Sequence, residues 1–271
     1  MDHITPKKSL GQNFLVDANI AQKIVRAFDA GPADMVVEIG PGEGALTRML
    51  AETAGRLAAV ELDARAAERI RTMFGSRVLV IERDVLEVSL RELAAECGAE
   101  RLRIIGNIPY YITSPILFHL FEHRTVVADA MLMMQREVAL RLVARPRTKE
   151  YGILAVMAQT YSAPKRLFDV GPRCFYPSPK VTSSVVHLRF ADLEGIAGIE
   201  SVHRQIVRAA FNQRRKTLRN SLAQLLPTQE ERDRVFTHAE IDQTARAEEL
   251  LPPDFIRLAR VFADEVAHRA G

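Results

Sequence analysis

From residue 34 onward the chain alternates short, almost wholly apolar runs with segments of helical periodicity, and few architectures accommodate that rhythm. The runs at 35–39, 57–61, 78–81, 102–105 and 128–134 read as strands. Segments 45–53, 64–73, 90–97 and 114–121 read as the helices between them. A strand that is apolar at nearly every position has no face to give to water, so it belongs in a parallel sheet covered on both sides by helices. After a helical stretch at 151–161 the style changes. Two further strands, 165–170 and 184–190, are joined by a long loop stiffened by Pro172, Pro177 and Pro179, a kind of connection that usually carries function. Residues 191–201 turn to Gly, Ala and acid and read as a linker, beyond which the pattern is helical. The expectation is an α/β chain: a Rossmann-like domain with a mostly parallel sheet over 1–190, then a small all-α domain over 200–271.

At 271 residues the chain can bury a sizeable core, and its net charge of +3 is too mild to indicate a nucleic-acid partner unless the charge is concentrated. No apolar run approaches the roughly 20 residues of a membrane span, and no apolar segment follows the N-terminus to act as a signal peptide. Cys97 and Cys174 share no short spacing, so neither a disulfide framework nor a metal site is expected. A monomer in a reducing cytoplasm is the default.

In open α/β sheets ligands bind at the carboxyl ends of the strands. After the first apolar run comes Glu38-Ile39-Gly40-Pro41-Gly42-Glu43-Gly44-Ala45, whose glycines permit close approach by a ligand. The spacing also satisfies the dinucleotide fingerprint, and Glu61 at the next strand end suits a ribose diol in either case. Asp84, closing the third strand, can take an adenine amino group, which a dinucleotide does not require. Upstream, Gly11-Gln12-Asn13-Phe14-Leu15 sets polar amides among apolar residues and can fold over the rest of a cofactor. These features favour S-adenosylmethionine over a nicotinamide.

The fourth strand end, Gly106-Asn107-Ile108-Pro109-Tyr110, suits the exocyclic amine of a flat base. The side-chain oxygen of Asn107 accepts one N–H and the main-chain carbonyl of Ile108 the other, while Pro109 stiffens the turn and Tyr110 offers a π-face. Acceptors that draw both hydrogens to one side favour a tetrahedral nitrogen whose lone pair points at an electrophile. A plain strand-end turn is the competing reading.

These segments, with Phe175-Tyr176-Pro177-Ser178-Pro179-Lys180 and Phe211-Asn212-Gln213-Arg214-Arg215-Lys216, resemble the ribosomal RNA adenine N6-dimethyltransferases. The likeness runs in order along nearly the whole chain. It is strongest to the bacterial 16S enzymes linked to kasugamycin sensitivity. The relatives that methylate large-subunit rRNA share mainly the first half. The resemblance implies an S-adenosylmethionine-dependent methyltransferase acting on 16S rRNA or a small-subunit precursor in ribosome biogenesis. It implies cofactor contacts from Asn13, Leu15, Gly40, Glu61, Asp84 and Asn107, and handling of the adenine by Asn107, Ile108, Pro109, Tyr110 and Phe175, the two aromatics sandwiching the base. The alternatives are a non-catalytic RNA-binding assembly factor on the same fold and a dimethyltransferase of large-subunit rRNA.

From 201 to 229 there is no acidic residue, while Arg204, Arg208, Arg214, Arg215, Lys216 and Arg219 all fall inside. In a continuous helix Arg204, Arg208, Arg215 and Arg219 would share a face suited to phosphate.

Overall fold

The computed structural model describes residues 4–7, 10–190, 195–213 and 216–270. A two-residue strand β1 (Phe14–Leu15) leads into α1 (Ala18–Phe28), whose first turn is capped by the Asp17 carboxylate accepting from the Asn19 and Ile20 N–H groups. Alternation then sets in: β2 (Met35–Ile39), α2 (Thr47–Thr53), β3 (Arg56–Glu61), α3 (Ala64–Phe74), β4 (Leu79–Glu82), α4 (Leu90–Glu96), β5 (Leu102–Asn107), α5 (Thr113–Glu122) and β6 (Val127–Gln135). Helices α6 (Arg136–Leu142) and α7 (Ile153–Tyr161) precede β7 (Ala163–Val170), β8 (Phe175–Tyr176) and β9 (Ser183–Arg189). The remainder is helical: α8 (Glu200–Asn212), α9 (Leu218–Ser221), α10 (Gln229–His238) and α11 (Pro252–Ala270).

The main sheet has the order β4-β3-β2-β5-β6-β9-β7. Its first five strands are parallel, and β9 runs antiparallel to both β6 and β7. The expected mostly parallel sheet is therefore present, with β9 as the reversal. Every residue of β2 is buried, whereas edge strand β4 is only half-buried. Strand order reverses between β2 and β5, and the crevice at the carboxyl ends there is where such sheets bind ligands. The Pro-rich loop is not structureless. It carries β8, which pairs antiparallel with β1 in the register Phe14↔Tyr176 and Leu15↔Phe175, and so draws the N-terminal segment to that crevice.

By contacts the chain divides into two compact units, 1–139 with 163–191, and 140–162 with 192–271. Segment 140–162 thus groups with the C-terminal helices although it precedes β7 in the chain. Within the second unit the buried Tyr151 hydroxyl donates to the Leu250 carbonyl at 2.7 Å, and the Phe211 ring lies 5.8 Å from that of Phe255. Of the linker, residues 191–194 lie outside the described residues.

Candidate active site

The glycine turn after β2 is forced by its neighbours. Gly40 and Gly42 have φ of 66° and 52°, and a Cβ on Gly42 would come within 2.8 Å of the Phe14 ring. Glycine alone accepts both constraints. The turn brings the Gly42 N–H onto the Glu61 carboxyl at 3.2 Å, and the Asp63 N–H reaches its other oxygen at 2.9 Å. Glu61 is 8% exposed. Burial pushes its carboxyl above the ordinary value in spite of those two donors. A carboxylate has about four acceptor sites, so Glu61 keeps capacity for two hydroxyls.

Around it opens a cavity at the carboxyl ends of the parallel strands, where such sheets bind ligands. Asn13, Gly40, Glu61, Asp84 and Asn107 all line it, with Ile108, Pro109 and Tyr110 at the far wall. Asp84 spends one oxygen on the Leu86 N–H at 3.0 Å. Asn107, at the end of β5, donates its Nδ2 to the Asn13 carbonyl at 2.9 Å. Because a carbonyl can only accept, that bond assigns the amide's orientation: the nitrogen is committed to Asn13 and Oδ1 is the free acceptor. The Tyr110 hydroxyl shares a 2.6 Å hydrogen bond with the buried Ser183, and burial raises its pKa. Ser183 is a positioning partner that sequence reasoning did not single out. No histidine or lysine lines the cavity among the described residues.

Two expected residues sit elsewhere. Leu15 and Phe175, 6% and 4% exposed, face each other across β1 and β8 in the hydrophobic core and are not among the cavity's walls. Of the two aromatics expected to sandwich the base, Tyr110 lines the cavity and Phe175 does not.

Of the basic residues, Arg204 and Arg208 line a shallow surface pocket on α8 together with Ser201 and Asn212. The continuous helix is not formed: α8 stops at Asn212 and Arg219 belongs to the separate α9. Arg219 is committed within its unit, donating to Gln243 at 2.7 Å and to Asp233 at 3.3 Å. Lys216 is exposed, and Arg214 and Arg215 lie outside the described residues. His119 on α5 and His123 just past its end stand four apart, a histidine pair that the sequence reading held to be absent. Each ring uses a nitrogen on a backbone carbonyl, of Val88 and His119 respectively, and no cluster of three metal-type ligands exists among the described residues.

A family model described as ribosomal RNA adenine dimethylase matches residues 4–264. The chain belongs to the ribosomal RNA adenine dimethylase family. It is accordingly an S-adenosylmethionine-dependent enzyme that dimethylates the adenine amine in ribosomal RNA. A ribosomal RNA small subunit methyltransferase A of Methylococcus capsulatus is 44% identical over 262 residues, 96% of this chain and 98% of the relative. Among solved structures, the 23S rRNA methyltransferase ErmE is 29% identical with a TM-score of 0.67, covering 93% of this chain and all of that one. A dimethyladenosine transferase from Plasmodium falciparum shares the fold at a TM-score of 0.81 and 24% identity, over 93% and 98% of the two chains. The cavity fits the cofactor of such an enzyme on its own chemistry: a buried carboxyl with spare acceptor capacity, a carboxylate at the next strand end, and a glycine turn between.

Proposed function

We propose that the substrate is the RNA of the small ribosomal subunit or its precursor, and that the enzyme works as a monomer in the cytoplasm during ribosome biogenesis. The name borne by the Methylococcus capsulatus relative supports the small subunit. In this reading Glu61 holds the cofactor's ribose, Asp84 its adenine, and Asn13 and Gly40 its methionine end, with Leu15 supporting that wall from the core. S-Adenosylmethionine, when bound, supplies an activated methyl on a sulfonium. The protein's own work is then placement. Asn107 Oδ1 and the Ile108 carbonyl accept the two hydrogens of the target amine, Pro109 holds the turn rigid, and Tyr110 stacks on the base, a contact worth ~1–3 kcal/mol. The base must leave its stack to arrive there. Taking the methyl leaves the nitrogen cationic and acidic enough to lose a proton to water, so a wall without histidine or lysine suits the reaction. Phe175 backs this arrangement from the core. The helical C-terminal region recognises RNA, with Arg204, Arg208 and Lys216 meeting phosphates.

The observation that carries the mechanism is the Asn107–Asn13 hydrogen bond, which leaves Oδ1 as the acceptor. Asn107→Ala is expected to keep its unfolding temperature while single-turnover methyl transfer at saturating cofactor falls by about 10²–10³, as for loss of one preorganised group. Normal transfer by the folded variant would return Asn107 to a turn residue.

A further inference from the structure

Asp63 is buried, its side chain fully covered, and it is not among the residues that line the cavity. Its carboxylate is nevertheless among the most heavily bonded groups in the chain. Arg65 donates to it from Nε at 3.0 Å and Nη2 at 2.6 Å, Gln12 from Nε2 at 3.0 Å, and Lys7 from Nζ at 3.2 Å. The Arg65 hydrogen bonds are the largest cause holding the carboxyl far below its ordinary range, so it is a permanent anion. Arg65 is two residues away and belongs to the same turn. Lys7 and Gln12 come from 56 and 51 residues away.

Those two belong to the N-terminal strap. Gln12 is spent at both ends, since its Oε1 accepts from the Lys7 N–H at 2.8 Å while its Nε2 reaches Asp63. The Ile4 N–H is tied down separately on Glu43 at 2.7 Å. The next residue along the strap, Asn13, presents the carbonyl that takes the Asn107 amide. On its other side, Asp63 gives its N–H to Glu61. One buried anion therefore sits between the carboxyl at the end of β3 and the segment that walls the cavity and orients Asn107.

We propose that Asp63 is a positioning residue: through Gln12 and Lys7 it latches the N-terminal strap over the cofactor cavity, and the latched strap sets the Asn107 amide by way of the Asn13 carbonyl. Cofactor retention and base alignment are then governed by one linkage, in which the Asp63–Gln12 and Asn13–Asn107 hydrogen bonds are joined by the Gln12–Asn13 peptide bond. The last link rests on the reading of Asn107 as acceptor; the latch itself does not.

The test reverses the latch. Gln12→Glu sets a second carboxylate against Asp63 where a donor now stands. Asp63→Asn keeps the α3 cap, at which Asn is as good as Asp. In the double variant an amide at 63 again faces a carboxylate at 12. For Gln12→Glu, calorimetry with S-adenosylmethionine is expected to show affinity lowered by about tenfold or more, the worth of a hydrogen bond to a charged group. In the protein without cofactor, tryptic cleavage after Lys7 or Lys8 is expected to quicken. The double variant is expected to recover both readouts toward wild type, which general loss of structure would not produce. Unchanged affinity and cleavage in Gln12→Glu, or a double variant as impaired as the two single effects combined, would overturn the latch. Neither readout involves RNA, so both stand apart from the Asn107→Ala test. The link to Asn107 is read from kcat at saturating cofactor: it is expected to fall in Gln12→Glu, and an unchanged kcat would overturn that link.

Discussion

The two ends of the same sheet treat charge in opposite ways. At the carboxyl ends of β2 and β3, Glu38 and Glu61 are buried close together, and desolvation pushes both carboxyls upward, Glu38 to about 8. At the amino ends, Arg103 on β5 grips Asp129 on β6 with two bonds of 2.8 and 2.9 Å, and takes Asp34 at 2.8 Å. The remaining Arg103 donors go to the Phe28 and Asp29 carbonyls, and its guanidinium lies 4.4 Å from the Phe28 ring. His187 on β9 completes the cluster at 2.7 Å from Asp129. Burial works to raise Asp129 and Asp34 as well, but the Gly31 N–H and Arg103 at Asp34, and Arg103 with His187 at Asp129, overcome it, and both sit below the ordinary range. One end satisfies its ions and ties four elements together. The other holds the Glu61 carboxyl in the cavity wall with acceptor capacity left for a ligand. Stability and binding are thus assigned to opposite edges of one sheet.

The comparison breaks most visibly at the clamp. Arg103→Met leaves two partly buried carboxylates without their cation, a change that typically destabilises by about 3–5 kcal/mol. Urea unfolding at pH 7 is expected to show a loss of that order, with methyl transfer per folded molecule unchanged. Asp129 and Asp34 bind fewer protons when folded than when unfolded, so their contribution is present at neutral pH and fades as pH falls through the carboxylate range. The gap between wild type and variant should therefore narrow in acid. A variant that loses activity in proportion would mean the two ends are not separable.

At the other end the balance inverts. Glu61→Gln keeps the shape but removes the ionised acceptor, so S-adenosylmethionine binding is expected to weaken by about 10²-fold, as for two hydrogen bonds to a charged group. Stability should hold or rise, because a carboxyl raised by desolvation opposes folding when ionised. Calorimetry of binding beside thermal unfolding separates the two effects, and equal losses in both would place Glu61 with the clamp.

Much of the carboxyl-end site was legible because apolar runs mark where strands stop, and Glu61, Asp84 and Asn107 follow those stops directly. The clamp was not, since Arg103, Asp129 and His187 meet only once register aligns segments 26 to 58 residues apart. A signal was present all the same: Arg103 interrupts an otherwise apolar strand, and a charge there demands a partner. Strands β1 and β8 are two residues long, below the length at which alternation can be read. For that reason the pairing of Phe175 with Leu15 and the route of the strap stayed hidden. The break after Asn212, which separates Arg219 from Arg204 and Arg208, has no proline or glycine to announce it.

Glu38 offers the finest probe of the contrast, because it sits at the ligand end yet is not itself one of the cavity's lining residues. It is 1% exposed on β2, with Thr47 Oγ1 donating to it at 2.7 Å. Desolvation outweighs that bond, and the charge of Glu61 adds to the rise. The folded state therefore holds a proton on Glu38 that the unfolded chain releases near 4.5. Stability from this group is full below that value and declines as pH rises toward 8, by at most ~1.4 kcal/mol per unit. Glu38→Gln removes the titration and keeps an oxygen for Thr47. Near pH 5 the variant should unfold at almost the wild-type temperature, and its advantage should grow steadily between pH 5 and 8. The same series run on Arg103→Met must show the opposite behaviour, its deficit shrinking in acid rather than a gain growing in base. A Glu38→Gln difference that stays flat across this range would mean the carboxyl is ionised when folded, and that the ligand end satisfies its charges as fully as the clamp does.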